Sequence, residues 1–157
     1  MAEENQGKQV GIQRIYLKDV SFESPHAPGV FQGEWKPELK LNISTQNEKI
    51  DLPVEAPGDV YDVTLTVEVD ARIDDQTALL CEVKYAGIFF LAGLSDQELQ
   101  QVLGSFCPTQ LFPYVRETIG DLVTKGGFPA ITLQPINFDA MLAQRQQQMA
   151  AAGADAH

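Results

Sequence analysis

Residues 61–74 alternate between two kinds of side chain. Tyr61, Val63, Leu65, Val67, Val69 and Ile73 are apolar, and Asp62, Thr64, Thr66, Glu68, Asp70, Arg72 and Asp74 fall between them. Successive side chains of a strand point to opposite faces, so this period of two predicts a strand with one face on a core and the other in water. That pattern belongs to antiparallel sheets, which commonly leave one face solvated. The same period recurs on either side. Leu39, Leu41 and Ile43 alternate with Glu38, Lys40, Asn42 and Ser44 before it. Leu79, Cys81, Val83 and Tyr85 alternate with Leu80, Glu82 and Lys84 after it, across a turn at Asp74-Asp75-Gln76. A first strand is expected from Gly11 to Glu23. Its apolar phase slips between Leu17 and Val20, as a bulge or burial on both faces would cause. Ser24 to Gly29 reads as a Pro/Gly loop, and 46–58 as a polar loop with Pro53, Pro57 and Gly58.

The period then becomes helical. Ser95-Asp96-Gln97-Glu98 is a capping box, in which the serine oxygen serves the backbone of Glu98 and the Glu98 carboxylate reaches back. Leu99, Val102 and Leu103 follow at helical spacing, and Gly104 to Pro108 is expected to break the run. Phe112, Val115, Ile119, Leu122 and Val123 mark one face of a longer helix, bent by Pro113 near its start and closed by Gly126-Gly127. Asn137 can cap a last helix carrying Phe138, Met141, Leu142 and Met149, which frays from Gly153. Strands followed by helices predict an α+β fold: a four-stranded antiparallel meander with helices packed on one face. The chain of 157 residues suits one domain. It is expected at 11–150, between a flexible tail at 1–10 and a disordered tail at 151–157.

Charge narrows the partners. Eleven Lys and Arg stand against 22 Asp and Glu, a formal net charge of −11. Residues 1–98 hold 18 of those acids and 8 of the bases, so the negative field belongs to the strands. Such a surface repels phosphate backbones and anionic lipid and favours a basic partner; nucleic acid is not an expected ligand. The N-terminus is polar and acidic, and no apolar run approaches the roughly 18 residues that would span a bilayer. Cys81 and Cys107 lie far apart with no CxxC and no neighbouring histidine, so zinc is not expected and a cytoplasmic protein with reduced thiols is.

Catalytic motifs are scarce. His26 sits in the Pro-rich loop and His157 at the terminus, and there is no phosphate loop, HExxH or GxSxG. Cys107 near a helix start could carry a lowered thiol pKa, but without a histidine it reads as a buried structural thiol. Asp74-Asp75 reads as a solvated turn. Two features remain. Period two puts Asp19, Ser21 and Glu23 on one face of the first strand, and Leu80 interrupts an otherwise polar face with Glu82; carboxylates around an exposed leucine would suit a basic peptide with an apolar tooth. Phe22, Phe31, Trp35, Phe89, Phe90 and Phe106 lie near breaks in regular structure. They are either ordinary core or the walls of a promiscuous apolar groove, where extended peptide adds hydrogen bonds at a strand edge.

The stretches IQRIYLKDVSFESPHAPGVF, LLCEVKYAGIF, FCPTQLFPYVRE and GGFPAITLQPINFDAM, spread over residues 11 to about 142, resemble the SecB family of proteobacterial protein-export chaperones. The resemblance implies an α+β chain assembled as a homotetramer, a dimer of dimers. It would hold unfolded precursor proteins in the cytoplasm and deliver them to the translocation ATPase SecA, with no ATP, metal or other cofactor of its own. It implies a docking site for SecA's basic, zinc-bearing C-terminal tail at Asp19, Glu23, Leu80 and Glu82. It also implies a client groove at Phe31, Trp35, Leu39, Leu41, Ile43 and Leu142, and assembly-sensitive positions at Cys81, Val83 and Tyr85. Tyr85 departs from the polar residue expected there. The stretch from Gln46 to Gly58 is longer than the family's loop and is expected to alter a hairpin. Two rival readings stand beside this one. A chain of this fold could instead serve one dedicated partner, such as an antitoxin. A small enzyme could use a lone carboxylate as general base within the aromatic set.

Overall fold

The computed structural model describes the backbone of residues 7–51 and 57–155. Four long strands form one antiparallel sheet: β1 (Gln9–Glu23), β2 (Glu38–Ile50), β3 (Asp59–Ile73) and β4 (Gln76–Ala92). Helices α1 (Asp96–Gln101), α2 (Cys107–Lys125) and α3 (Phe138–Asp155) follow. The α+β order is as expected, but the sheet is not a simple meander. Its strand order is β1-β4-β3-β2, so β1 lies beside β4 while β2, β3 and β4 run as consecutive hairpins. The linker between β1 and β2 is long enough to carry the chain across the sheet, a Greek-key connection.

Two strands are longer than their hydrophobic pattern. Residues 46–50, expected in a loop, continue β2 and pair with 60–64 of β3. Gln46 to Lys49 are polar and exposed on both faces, and only Ile50 at the end is half-buried; ladder hydrogen bonds keep the extension in the sheet. β4 likewise continues through Ile88-Phe89-Phe90-Leu91-Ala92 against both neighbours. Leu52, Pro53 and the residues up to 56 lie outside the described residues.

The phase slip in β1 is a bulge: Leu17 pairs with Tyr85 and Asp19 with Lys84, leaving Lys18 as the extra residue. A second bulge falls at Gln13. The β3–β4 turn has two central residues, Asp74 and Asp75, with φ of 51° and 63°. Left-handed backbone at both positions is what a tight hairpin of right-twisted strands requires. Both side chains are exposed.

One face of the sheet is covered. Val63, Leu65, Val67, Val69 and Ala71 of β3 and Leu79, Cys81, Val83 and Phe89 of β4 are fully buried against Leu111, Val115, Ile119 and Val123 of α2. Helices cover the two central strands and leave the edges open. None of the fifteen residues of β1 is buried.

The helical region is more continuous than expected. The capping box is present: Ser95 Oγ accepts from the Glu98 amide and the Ser95 amide donates to Glu98 Oε1. Gly104 to Pro108 does not break the run. Residues Val102–Phe106 widen into a π turn, with the Cys107 amide donating to the Val102 carbonyl, and lead straight into α2. The wider turn accommodates Pro108, whose ring would crowd a carbonyl four residues back and which has no amide to donate. Pro113 lies well inside α2. The helix stops in a Schellman motif: the Gly127 amide donates to Thr124 and the Phe128 amide to Val123, with Gly127 at φ 90°. Asn137 caps α3 through its Oδ1, which accepts from the Ala140 amide. β1 starts at Gln9 and α3 continues past Gly153 to Asp155, so regular structure reaches into both stretches expected as tails.

Candidate functional site

The uncovered face of the sheet is polar, and cross-strand register orders it into rows. Ser21, Glu82, Glu68 and Asn42 form one row across the four strands. Glu23, Leu80, Asp70 and Lys40 form the next, and Asp19, Lys84, Thr66 and Ser44 the one on the other side. Residues paired across a ladder share a face, so Asp19, Glu23, Leu80 and Glu82 share this one. They occupy two adjacent strands, spaced by about 5 Å. Leu80 is half-buried between Glu23 and Asp70, with Glu82 two residues along its own strand.

Strand β3 adds acids to this face that the sequence reading did not single out. Glu68 stands opposite Glu82 and is held by the side-chain amide of Asn42 at 3.1 Å. Asp70 stands opposite Leu80, and its Oδ2 accepts from Arg72 Nε at 3.1 Å. Alternation alone already placed both outward; only the strand order shows that they adjoin β4. Further along, Tyr16 and Lys18 of β1 reach over β4 to Asp62 of β3, at 2.6 and 3.2 Å. Ala86, opposite Tyr16 on β4, is small enough to let them pass. Burial, then the Asp62 hydrogen bond, pushes the Tyr16 hydroxyl up to about 12.

The other side of the molecule carries apolar groups at its margins. Phe128, placed by the Schellman stop, stacks at tilted geometry on Phe31 (5.0 Å between centroids), Trp35 (5.3 Å) and Phe22 (6.5 Å). Val30, Phe31, Gly33, Trp35, Gly127, Phe128 and Pro129 line a pocket of about 420 Å³. None of these seven has a titratable side chain, so the lone general base imagined among the aromatics is not in that pocket's wall. Four residues beyond Trp35 the stripe of β2 begins: Leu39 and Leu41 are 47% and 39% exposed, and Ile43 is half-buried. All three pair with buried β3 residues, Ala71, Val69 and Val67, and so lie on the helix side of the sheet.

The aromatic set read from the sequence divides. Phe22, Phe31 and Trp35 join the pocket cluster, while Phe89 is core, Phe90 points to the uncovered face and Phe106 is an exposed residue of the π turn. Phe128 was missed; its signal was the Gly126-Gly127 stop immediately before it. Leu142 is not free to line a groove. It is 9% exposed and packs into the space left by Gly104, where an added Cβ would lie 2.7 Å from its Cδ1. Cys107 is a buried thiol, and burial pushes it up to about 12 and Cys81 up to about 11, far from a reactive thiolate.

A family model described as preprotein translocase subunit SecB matches residues 3–149. The chain belongs to the SecB family. It is 49% identical over 155 residues to the protein-export protein SecB of Nitrosococcus oceani, covering 98% of this chain and 91% of that one. With the SecB of Hahella chejuensis it shares 50% identity over 147 residues, covering 92% and 89%. Among solved structures it is similar to a SecB-like chaperone of Mycobacterium tuberculosis in complex with a ChAD peptide from the HigA1 antitoxin. That match has a TM-score of 0.62 at 18% identity and covers 86% of this chain and 91% of that one. Identity that low speaks for the fold.

The SecB assembly positions implied by the resemblance need a correction of place. Cys81 and Val83 are fully covered by this chain's own helices, so neither side chain can touch a partner. They sit on the same side as Tyr85, whose ring meets Tyr114 of α2 at 5.5 Å. Tyr114 itself is 45% exposed.

Proposed function

We propose that this SecB-family chain is a protein-export chaperone that acts by binding rather than catalysis, in the cytoplasm. It holds unfolded precursor polypeptide on its helix-side apolar margins and docks SecA's basic zinc-bearing tail on the opposite, acidic face. The observation that carries this reading is that the sheet separates the two sets: Asp19, Glu23, Leu80 and Glu82 on its uncovered face, and Phe31, Trp35, Leu39, Leu41 and Ile43 on its helix side. A basic peptide would find carboxylates at Asp19, Glu23 and Glu82 and an apolar contact at Leu80. Attraction of this kind speeds encounter and weakens with salt, because the screening length is about 8 Å at physiological ionic strength.

Client holding needs no tight site. Ordering a flexible chain costs about 2–5 kcal/mol or more, so one segment in one groove binds weakly. Several grooves on a homotetramer raise retention by about 100- to 10,000-fold through effective concentration. Weak contacts also permit handover. Assembly as a dimer of dimers gives ~69 kDa, four chains of 17.3 kDa. Cys81 and Val83 would influence it from beneath, by setting the height at which α2 presents Tyr114 and its neighbours.

Affinity capture from cytosol with mass-spectrometric readout tests the reading. SecA together with many precursor proteins is the expected result. A single antitoxin as the dominant partner would instead make this a dedicated chaperone. Light scattering that gave a stable monomer at micromolar concentration would remove the multivalent mechanism.

A further inference from the structure

Cations border the carboxylates around Leu80, and they differ in how firmly their charge is fixed. Lys40 stands opposite Asp70 on β2, an edge strand, and is exposed, so its ammonium is free to swing into solvent. Arg72 already bonds Asp70 Oδ2, and the other oxygen, Oδ1, is enclosed with no hydrogen-bond partner. Lys84 is the cation held within the face. It lies on β4, a central strand, between Asp19 of β1 and Thr66 of β3, and is half-buried. Asp19 stands directly opposite and is exposed, yet Lys84 has no ion-pair partner among the described residues. Lys18, beside Asp19 in the bulge, is turned away to Asp62 and Thr64. The third row of the face therefore carries one positive and one negative charge, whereas the two rows nearer the hairpin tip hold Glu23, Asp70, Glu82 and Glu68.

We propose that Lys84 sets the register of a basic peptide on this face, keeping the peptide's cations off the Asp19 row and holding them at Glu23, Glu82 and Glu68 around Leu80. This rests on the reading of the acidic face as the surface that docks SecA's tail. Same-face neighbours along a strand are about 7 Å apart, so Lys84 is about 7 Å from Glu82 and about 14 Å from Leu80. Side chains directly opposite across a ladder are closer, with Cβ atoms about 5 Å apart. Against a screening length of about 8 Å, a peptide cation seated on Asp19 meets nearly the full repulsion of Lys84, one at Glu82 a part of it, and one beside Leu80 little. Asp19 then draws the peptide from a distance while Glu23, Glu82 and Glu68 make the contact. Lys84 acts by repulsion and is a positioning residue.

The test is carbodiimide coupling, which joins a lysine to a carboxylate in contact with it, mapped by mass spectrometry on the full chain. The probe is a synthetic peptide with lysines on both sides of one leucine. The wild-type chain should couple it at Glu23, Glu82 and Glu68 and not at Asp19. Lys84→Gln should add Asp19 to the coupled set and tighten binding by about two- to fivefold, the range of an exposed charge pair, and the gain should shrink as salt is added. Lys84→Arg keeps the charge and should keep the wild-type pattern, which a purely structural lysine would not require. Coupling at Asp19 in the wild-type chain, or an unchanged pattern and affinity in Lys84→Gln, would overturn the role of Lys84. Glu82→Gln separates the two layers. If it weakens the peptide and Lys84→Gln changes nothing, only the register role falls; if it leaves affinity intact, the docking surface is elsewhere and both fall.

Discussion

Glu68 and Glu82 stand directly opposite each other on β3 and β4, and neither has an ion-pair partner among the described residues. Like charges in this position destabilise a sheet by up to about 1 kcal/mol. Glu68→Gln keeps the acceptor for Asn42 and removes one charge. It should raise the melting temperature while weakening a basic peptide's affinity for the acidic face, by calorimetric melting and titration on one preparation. A lower melting temperature would mean that solvent already neutralises the repulsion.

Glu82→Lys follows from the same row. The new ammonium would face Glu68 as an opposite charge, so the fold should keep or gain stability. SecA binding should disappear and client holding should persist. Because the fold is not weakened, loss of both activities together would show that the two surfaces are not separate.

Gly127 couples a helix stop to the pocket. At φ 90° an alanine is strained by about 1–2 kcal/mol, and relief of that strain would move the next residue, Phe128, off Phe31 and Trp35. Gly127→Ala should therefore change the emission of Trp35, the chain's only tryptophan, and weaken client holding. Unchanged emission would show that the pocket adjusts independently of the helix end.

The α1 cap has a defined acid limit. The Lys8 ammonium, then the Ser95 amide and hydroxyl, hold the Glu98 carboxyl down at about 2, below its ordinary 4.5. Its folded value is depressed, so its contribution to stability is complete above pH 4.5 and is lost as the pH falls toward 2. Carbon-detected NMR of Glu98 should give a midpoint near 2, and exchange protection of 98–101 should decline only across that window. Ser95→Ala should move the midpoint upward.

Much of this was legible because it is local. Alternation placed Glu82 and Leu80 outward, the slip after Leu17 marked the bulge, Asp74-Asp75 marked the tight turn, and Ser95 and Asn137 marked helix starts. What escaped depends on contacts far along the chain. Nothing near β1 says that it lies beside β4. Residues 46–49 are polar and exposed and stay extended through backbone pairing, which leaves no hydrophobic period to read. Gly104 has the local signature of a helix break, but its missing side chain is occupied by Leu142 from α3. That one packing choice both keeps the helix running and withdraws Leu142 from the groove. Cys81 and Val83 could be assigned to a face from period two, but only the three-dimensional arrangement shows that the chain's own helix already occupies it.

The turn at Asp74 and Asp75 ends the two central strands in an exposed, two-residue bend whose backbone suits Asn-Gly equally well. It lies beyond the Leu80 row and belongs to neither the aromatic pocket nor α3. A fluorescent or affinity tag grafted at this tip would leave the grip on unfolded chains undisturbed. It would also place a reporter at the rim of the acidic surface, where the proposed docking of SecA could be watched as it happens.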